Sequence, residues 1–361
     1  MNVRKRLFVI LLCLLFVAVL GFIISIITQV KFDRKKMDAF FKHIENNDMG
    51  LGSISIFQNG NEVYHNQIGF AEFETGRKNN KNTLFRIGSV SKSFTAVVIM
   101  QLVRENKLSL ETKLSDYFPE IKNSENITIR NLLEHKSGIF NFTSDKTFSE
   151  WKHLPASKND LIKRISSYEP IFEAGDKQDY SDSNYTLLGF IAEMIDNNSL
   201  ENILRKRIIN PAVLNNTFTI NNSKSHYNIA KSYYKRDEWI PAVEVHESIL
   251  TGFANIISSP FDLNKYFYNF FHGRLVPDEL LAEMIPMEDM FGLGIAYIPF
   301  YEKLGYGNQG YVDAFQATTI YFPIEQVTIT FMSNGNVINH DDVIIGALSI
   351  YFGREYEFPE F

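Results

Sequence analysis

A serine and a lysine three residues apart, Ser89 and Lys92, have the residue types and the spacing for nucleophilic chemistry. On a helix, side chains three positions apart lie on one face within about one turn of each other. A serine hydroxyl becomes a good nucleophile when a base takes its proton, and a lysine amine can be that base if its pKa is lowered by burial or by nearby positive charge. The pair therefore predicts a nucleophilic serine with its own activating amine.

The sequence around this pair predicts the helix that would hold it. Residues 94–103 are mostly apolar, and Gly88 permits a tight turn just before Ser89. The first turn of a helix offers unpaired N–H groups and a positive dipole end, which would stabilise an oxyanion beside the serine.

Taken alone, the pair of Ser89 and Lys92 is equally compatible with a capping serine and a solvated lysine. Two further Ser-x-x-Lys copies, at 149–152 and 232–235, open no such helix and are interpreted as structural.

Two other positions are candidates for the same pocket. Tyr180, Ser181 and Asp182 lie in a predicted loop just ahead of a helix that begins near Asn184. Such side chains can point from a loop into a pocket, although a serine or aspartate here can equally cap the helix. His135 lies at a predicted helix end, where a single histidine is more often a cap or a packed polar residue than a catalyst.

The elements that must position these residues combine helices and strands. Apolar residues recur at helical spacing in some stretches and alternate in others, and Asn-Gly between two β-rich runs is a strong hairpin signal. The predicted elements are a helix at 32–47, a hairpin at Asn59-Gly60, the helix after Ser89, an aromatic helix at 258–271, β runs at 291–300, 306–323 and 326–336, and a closing helix at 341–352.

Strands at both ends of the chain, with helices between them, imply one antiparallel sheet whose halves meet in space. We therefore predict an α+β fold, with an antiparallel sheet flanked by helices and an inserted all-helical subdomain at roughly residues 110–250. The chain has 361 residues, of which 45% are apolar, so it can bury a substantial core. Residues 31–361 are predicted to form the functional domain.

Residues 1–30 differ from the rest in composition. Basic residues at 4–6 precede an uncharged apolar run from Leu7 to Ile27, which is long enough to span a bilayer and longer than a typical signal-peptide core. No small-x-small cleavage site follows it. We predict a single-pass transmembrane signal anchor that contacts the lipid bilayer through residues 7–27, with the domain outside the cell. The single cysteine, Cys13, lies in this run.

Net charge and motif content exclude several function classes. The formal net charge of −6 argues against a nucleic-acid partner, which normally requires a basic patch. The eight histidines are scattered without metal-ligand spacing, and no glycine-rich phosphate loop follows a strand. We predict that the chain uses no metal and no cofactor.

Six segments in one order give the chain a family resemblance. It resembles the serine β-lactamases and penicillin-binding proteins, particularly class C β-lactamases, D-alanyl-D-alanine carboxypeptidases and related esterases. The segments cover nearly everything after residue 40, and they are FRIGSVSKSFTA around Ser89, LSDYFPEI, ITIRNLLEHKSGI, YSDSNYTLLG, SSPFDL and GNQGYVDAF.

The resemblance implies roles for individual residues. Ser89 would be the acylated nucleophile and Lys92 its partner, while the Tyr180 phenol would carry a proton between Ser89 and the leaving group. The family's third motif, a Lys or His followed by x-Gly on a strand, corresponds to Asn308 and Gly310. The backbone N–H of Tyr311 would then complete the oxyanion hole with that of Ser89.

The second motif departs from the family pattern. It usually ends in Asn, and here the third position is Asp182. A carboxylate near Lys92 favours the ammonium form and is expected to raise the lysine pKa, which would make it a poorer base. On this argument Tyr180, stabilised as a phenolate by the ammonium, becomes the predicted base.

The third motif also departs from the pattern, because Asn308 replaces a cation or a strong donor. In relatives that act on D-alanine peptides or β-lactams, that group recognises the substrate carboxylate. A neutral hydrogen bond is roughly half as strong as a charge-assisted one, so binding of a free carboxylate should suffer. A D-alanyl ester on a teichoic acid lacks such a free carboxylate. The altered second and third motifs resemble those of the membrane-anchored teichoic-acid D-alanyl esterases of Gram-positive bacteria.

Three functions are consistent with these observations. The first is an anchored serine hydrolase that forms an acyl-enzyme at Ser89, with a teichoic-acid D-alanyl ester or a peptidoglycan stem peptide as its cell-envelope partner. The second is a penicillin-binding D-Ala-D-Ala carboxypeptidase or a β-lactamase. The third is a non-catalytic cell-wall sensor that retains the fold, which the replacements Asp182 and Asn308 leave open.

Overall fold

A six-stranded antiparallel sheet lies at the centre of the structure, a computed structural model that describes residues 32–221, 228–287 and 289–359. Three smaller sheets surround it. The strands are β1 Gly50–Gln58, β2 Asn61–Ile68, β3 Phe70–Glu72, β4 Arg77–Lys78, β5 Phe85–Arg86, β6 Phe218–Thr219, β7 Tyr233–Lys235, β8 Trp239–Pro241, β9 Ile256–Ser258, β10 Ala296–Tyr297, β11 Tyr306–Val312, β12 Phe315–Phe322 and β13 Val327–Asn336.

The described helices lie before, between and after these strands. They are α1 Arg34–Asn46, α2 Ser91–Arg104, α3 Ile129–Leu133, α4 Phe148–Trp151, α5 Lys158–Ser167, α6 Asp182–Asp196, α7 Leu200–Leu204, α8 Pro260–Phe271, α9 Asp278–Met284 and α10 His340–Tyr351. Short 3₁₀ turns occur at Gly88–Val90, Leu114–Asp116, Phe142–Ser144 and Glu247–Ile249, and a π-helical turn at Arg205–Ile209.

The two ends of the chain meet in the central sheet, as predicted. Its strand order is β10-β11-β12-β13-β1-β2, and β13 pairs with β1 from Gly50 opposite Asn336 to Gln58 opposite Val327. The predicted Asn59-Gly60 hairpin joins β1 to β2. The antiparallel sheet flanked by helices is therefore confirmed.

The predicted single β run at 306–323 is wrong, because it forms two strands, β11 and β12. Neither Gly nor Pro marks the turn between Val312 and Phe315 in the sequence. Asp313 makes the turn with φ of +57°, a left-handed conformation that aspartate tolerates better than most residues. Its carboxylate accepts hydrogen bonds from Val245 N at 2.8 Å and from Arg86 at 3.1 Å, and these contacts hold the turn.

Successive side chains of the sheet point to opposite faces and enter two separate cores. On β12, Ile320 and Phe322 pack with α1 and α10, whereas Phe315 and Ala317 join the larger core around α2 and α6. Tyr321 stacks on Phe271 of α8, with 4.5 Å between ring centroids. The sheet is therefore covered on both faces.

The helical part of the chain is shorter than the predicted all-helical subdomain. The described residues between α2 and β6 form helices and turns, but strands β6 to β8 fall within the predicted range of 110–250. The predicted anchor at 7–27 lies outside the described residues. Within those residues no helix has both the length and the apolar character needed to cross a membrane.

Candidate active site

Strand β5, a 3₁₀ turn and helix α2 together place the serine and the lysine. Ser89 lies in the turn Gly88–Val90, and Lys92 lies in the first turn of α2. Gly88 has φ of +51°, and a Cβ atom there would lie 2.7 Å from the backbone nitrogen of Tyr311. Both the left-handed conformation and the close approach of a second strand therefore require glycine at this position.

Tyr180 joins this pair from a loop about ninety residues further along the chain. Its Oη donates to Ser89 Oγ at 2.6 Å, while Lys92 Nζ donates to Ser89 Oγ at 3.0 Å and to Tyr180 Oη at 2.5 Å. The hydroxyl, the amine and the phenol thus form a closed hydrogen-bonded triangle. A nucleophile and two groups that can carry protons are in direct contact.

Asp182 is the first residue of α6, whereas the helix was predicted to begin near Asn184. Its Oδ1 accepts from Lys92 Nζ at 2.6 Å, and its Oδ2 accepts from Thr143 Oγ1 at 2.7 Å. Its backbone N–H donates to Asn141 Oδ1 at 3.0 Å. The sequence reasoning missed Asn141 and Thr143. The available signal was the Asn-x-Thr pattern, in which an asparagine side chain accepts from the backbone two residues on.

The predicted oxyanion hole depends on the close approach of β11 to the 3₁₀ turn. A Cβ atom on Gly310 would lie 2.7 Å from Ser89 N and 2.1 Å from the carbonyl oxygen of Ile87. The backbones of the two segments are therefore in contact, with Tyr311 N beside Gly88. Ser89 N and Tyr311 N therefore both lie where these two segments meet.

Asn308 lies on the same strand and borders the site. Its Nδ2 donates to the carbonyl oxygen of Gly294 at 3.2 Å. Its Oδ1 is buried and has no hydrogen-bond partner among the described residues. One amide hydrogen is thus already used within the protein, and the side chain brings no charge to the position that the family resemblance assigns to a Lys or His.

With this geometry in place, the comparison with known families decides the identity. A family model described as Beta-lactamase matches residues 38–348, most of the chain. The chain belongs to the β-lactamase family. It is a serine hydrolase of the β-lactamase and penicillin-binding protein type, and the contact between Ser89, Lys92 and Tyr180 lies where the family resemblance predicted it.

The chain is also similar to individual proteins and solved structures. A teichoic acid D-alanine hydrolase from Staphylococcus aureus strain MRSA252 is 26% identical over 320 residues, covering 86% of this chain and 75% of that protein. Among solved structures, D-amino acid amidase from Ochrobactrum anthropi SV3 has a TM-score of 0.77 at 19% identity, covering 86% of this chain and 96% of that one. FmtA from Staphylococcus aureus has a TM-score of 0.76 at 22% identity, covering 89% and 88%.

Burial reverses the expected order of the two candidate bases in this β-lactamase-family site. Burial lowers the pKa of Lys92 below its usual value, although the Asp182 carboxylate acts in the opposite direction. Burial also raises the pKa of Tyr180 well above its usual value, and the negative charge of Asp182 adds to that effect. Both shifts act against the charged forms, and the raised pKa of Tyr180 disfavours the phenolate that we predicted as the base. The two directions favour a protonated Tyr180 and make the Lys92 amine the better candidate for the base.

The cavity beside Ser89 has a volume of about 630 Å³ and a largely apolar wall. Among the described residues that line it, Lys92 is the only cation, and its ammonium form is already paired with Asp182. No group of three His, Cys, Asp or Glu side chains within the described parts of the chain could hold a metal ion. The apolar wall is formed by Met290, Phe291, Ile295, Ala296, Tyr297, Ile298 and Pro299.

His135, for which we predicted no catalytic role, holds the loop that carries Tyr180. Its backbone oxygen accepts from Asp179 N at 2.8 Å, and its Nδ1 accepts from Ser181 N at 3.1 Å. Its ring lies against the Tyr180 ring, with 4.6 Å between centroids. Burial lowers the pKa of His135 to about 3, so the ring is neutral near pH 7 and Nδ1 remains an acceptor. The sequence signal for this role was the place of His135 in ITIRNLLEHKSGI, one of the segments that carry the family resemblance.

Proposed function

We propose that this chain is a membrane-anchored, extracellular esterase that removes D-alanyl groups from teichoic acid through an acyl-enzyme at Ser89. The observation that carries the proposal is the hydrogen-bonded triangle of Ser89, Lys92 and Tyr180 beside a cavity whose described lining offers no free cation. The relative named teichoic acid D-alanine hydrolase supports the substrate class.

Acylation follows from the three contacts. Ser89 Oγ attacks the ester carbonyl carbon and gives its proton to the neutral amine of Lys92, 3.0 Å away. The Ser89 and Tyr311 N–H groups stabilise the oxyanion of the tetrahedral intermediate. As the intermediate collapses, Tyr180 gives its proton to the leaving alcohol oxygen and takes one from the Lys92 ammonium. The net result is the transfer of one proton from the serine to the alcohol by relay, and Lys92 and Tyr180 return to their starting forms.

Deacylation uses the same groups in reverse. A water molecule attacks the acyl carbon and gives a proton through Tyr180 to Lys92. The Lys92 ammonium returns that proton to Ser89 Oγ when the acyl–serine bond breaks. Released D-alanine and free enzyme result, and the protein supplies every proton transfer in the cycle.

The absence of a free cation in the described lining favours an ester over a peptide that ends in a carboxylate. A free carboxylate would enter an apolar cavity without a charged partner, and an unpaired buried charge costs far more than a paired one. At the position where the family places a Lys or His, Asn308 offers neutral hydrogen bonding and donates to Gly294. A D-alanyl ester brings no carboxylate into the cavity and avoids this cost.

The location of the enzyme is proposed from the sequence. The apolar run from Leu7 to Ile27 is long enough to cross a bilayer, and the residues after it form a folded domain that begins near Phe32. An enzyme held on the outer side of the membrane would share a surface with lipid-linked teichoic acids.

Release of D-alanine from purified lipoteichoic acid by the full chain tests the substrate, with Ser89→Ala as the matched control. We expect release by the native protein and none by Ser89→Ala, with unchanged thermal unfolding. Mass spectrometry of the intact protein should show a transient alanyl adduct on Ser89. No release by the native protein at any enzyme concentration would overturn the esterase proposal and favour the sensor.

A fluorescent penicillin separates the esterase from the carboxypeptidase and β-lactamase alternatives. Those enzymes bind a ligand carboxylate, so they should acylate rapidly. We expect slow labelling of Ser89, because the described cavity offers that carboxylate no free cation. Labelling at a rate comparable to D-alanyl ester turnover would count against the ester assignment.

A further inference from the structure

The start of the described chain lies at one end of the central sheet. The ring of Phe32 lies 5.1 Å from Tyr351, Tyr351 lies 5.2 Å from Phe352, and Phe352 lies 5.9 Å from Phe300, all between centroids. Helix α10 ends here, and Phe300 belongs to the connection between β10 and β11. We call this end, with the β10–β11 and β12–β13 connections, the Phe32 end of the sheet.

Three exposed apolar side chains lie on those two connections. Tyr301 and Leu304 of the β10–β11 connection are 67% and 41% exposed, and Ile324 of the β12–β13 connection is 74% exposed. An ion pair of 2.7 Å between Lys303 and Glu325 joins the two connections, so their exposed side chains lie at the same end of the sheet. Clustered exposed apolar side chains of this kind mark an interaction surface more often than scattered ones do.

Basic residues follow Phe32 closely in the chain. Arg34, Lys35 and Lys36 form the first turn of α1, immediately after Phe32. Lysines and arginines beside exposed aromatic and aliphatic side chains are typical of protein surfaces that lie on anionic lipid headgroups. Tyrosine is particularly suited to that interface, because its ring is apolar and its hydroxyl is polar.

We propose that the Phe32 end docks on the lipid bilayer, with Tyr301, Leu304 and Ile324 at the level of the headgroups. The inference rests on the proposed anchor, whose apolar run ends at Ile27. Five residue steps separate Ile27 from Phe32, so the two lie at most about 18 Å apart. The exposed side chains are therefore held close to the membrane surface, and partial insertion would bury their apolar area.

This orientation determines which substrates can reach the nucleophile. The cavity extends from Ser89 to Pro299, the residue that precedes Phe300 at the Phe32 end. One side of its opening would then lie next to the membrane. The enzyme would act preferentially on acyl esters carried by a lipid-anchored polymer, and less on the same ester free in solution.

Tryptophan fluorescence of the full chain in phosphatidylglycerol vesicles containing brominated acyl-chain lipids tests the docking. In Tyr301→Trp the new indole should be quenched by the bromine atoms. Of the two native tryptophans, Trp151 stacks on Phe142 in the helical part of the chain, and Trp239 lies at the opposite end of the sheet, where its Nε1 donates to Asp48 Oδ1 at 2.7 Å. The matched control is Val243→Trp, because Val243 is 70% exposed and follows β8 at that opposite end.

We expect quenching of the added fluorescence in Tyr301→Trp and none in Val243→Trp. Equal quenching of the two variants, or none in either, would overturn the proposal. This readout does not depend on catalysis. It therefore decides the docking even if the proposed esterase activity fails.

A substrate comparison tests the functional consequence. The double variant Tyr301→Asp/Ile324→Asp should lose about tenfold of its activity on a vesicle-embedded D-alanyl ester, because docking raises the effective concentration of substrate. Its activity on a water-soluble D-alanyl ester, and both activities of Val243→Asp, should stay at the native level. Equal losses on the two esters would overturn the docking role. A native protein inactive on both esters would instead overturn the proposed function.

Discussion

Asp182 sets the protonation of the general base in this active site. Its carboxylate lies 2.6 Å from Lys92 Nζ, and the two side chains are only 11% and 3% exposed. The family's second motif usually ends in Asn, which is similar in shape but uncharged. The carboxylate favours the ammonium form of Lys92 while burial favours the amine, so their balance decides how much base is present at a given pH.

Replacing this charge should move the pH dependence of the reaction in a defined direction. In the proposed mechanism the active form of Lys92 is the neutral amine, so activity should be lost as pH falls through the lysine pKa. Asp182 raises that pKa against the effect of burial. In Asp182→Asn we therefore expect the rising limb of kcat/KM to shift to lower pH. The measurement is a pH–rate profile with a D-alanyl ester. Asp179→Asn, an exposed carboxylate three residues away, is the control, and a shift to higher pH would contradict the argument.

His135 positions Tyr180 by accepting hydrogen bonds from the backbone N–H groups of Asp179 and Ser181, the residues before and after it. This positioning role can be tested separately from any contribution of His135 to packing. His135→Leu removes the acceptor for Ser181 N, and we expect kcat to fall by about 10–100-fold with little change in KM, because small displacements of a catalytic group are costly. His135→Asn should recover most of the loss. The asparagine Oδ1 occupies the place of Nδ1, and asparagine tolerates the φ of +58° at this position.

Steady-state kinetics and thermal unfolding of both His135 variants check this prediction. A residue that only fills space would lower stability in both variants and leave kcat of the folded protein unchanged. Equal kcat values for the Leu and Asn variants would therefore refute the positioning role.

At the scale of elements, the site depends on how closely β11 approaches the 3₁₀ turn that carries Ser89. In Gly310→Ala the added methyl would lie 2.1 Å from the carbonyl oxygen of Ile87, so the strand and the turn must separate. We expect the acylation rate to fall by about 10²-fold, the effect of losing one oxyanion donor. Stopped-flow acylation per folded molecule is the measurement.

Gly76→Ala is the control for that substitution, because a Cβ atom there would meet nothing within 4 Å. Its φ of +70° should cost some stability, about 1 kcal/mol, without an effect on acylation. An unchanged acylation rate in Gly310→Ala would show that the Tyr311 N–H group is not part of the oxyanion hole.

At the scale of the whole molecule, the sheet separates the core that supports catalysis from the core that supports only the fold. Phe41 of α1 is 1% exposed and packs among Phe40, Tyr64 and Phe331 on the face away from α2. Phe41→Ala should lower the free energy of unfolding by about 3–5 kcal/mol, because it leaves a cavity. The acylation rate of the folded protein should not change.

Chemical denaturation and active-site titration measure these two quantities separately. Lys42→Ala, at the neighbouring exposed position, should change neither. A slower acylation rate in folded Phe41→Ala would mean that the two cores are coupled through the sheet.

The sequence determined the elements whose signals are local. The Asn59-Gly60 hairpin, the helix after Ser89 and the closing helix α10 were predictable, because each depends on side-chain periodicity and turn residues within a few positions. The spacing of Ser89 and Lys92 also fixed their proximity. The turn at Asp313 was not predictable, because contacts from Arg86 and Val245, distant in sequence, hold its left-handed conformation.

Only the tertiary structure decided the chemistry of the site. The family resemblance assigned Tyr180 to Ser89, but their 2.6 Å contact depends on a loop held by His135. The sequence showed a carboxylate near Lys92 and predicted a higher lysine pKa, whereas folding buried the pair and reversed the result. Charge is a property of the residue and can be read from the chain. Desolvation depends on every segment that packs around the residue, and so it emerges only when the molecule is folded.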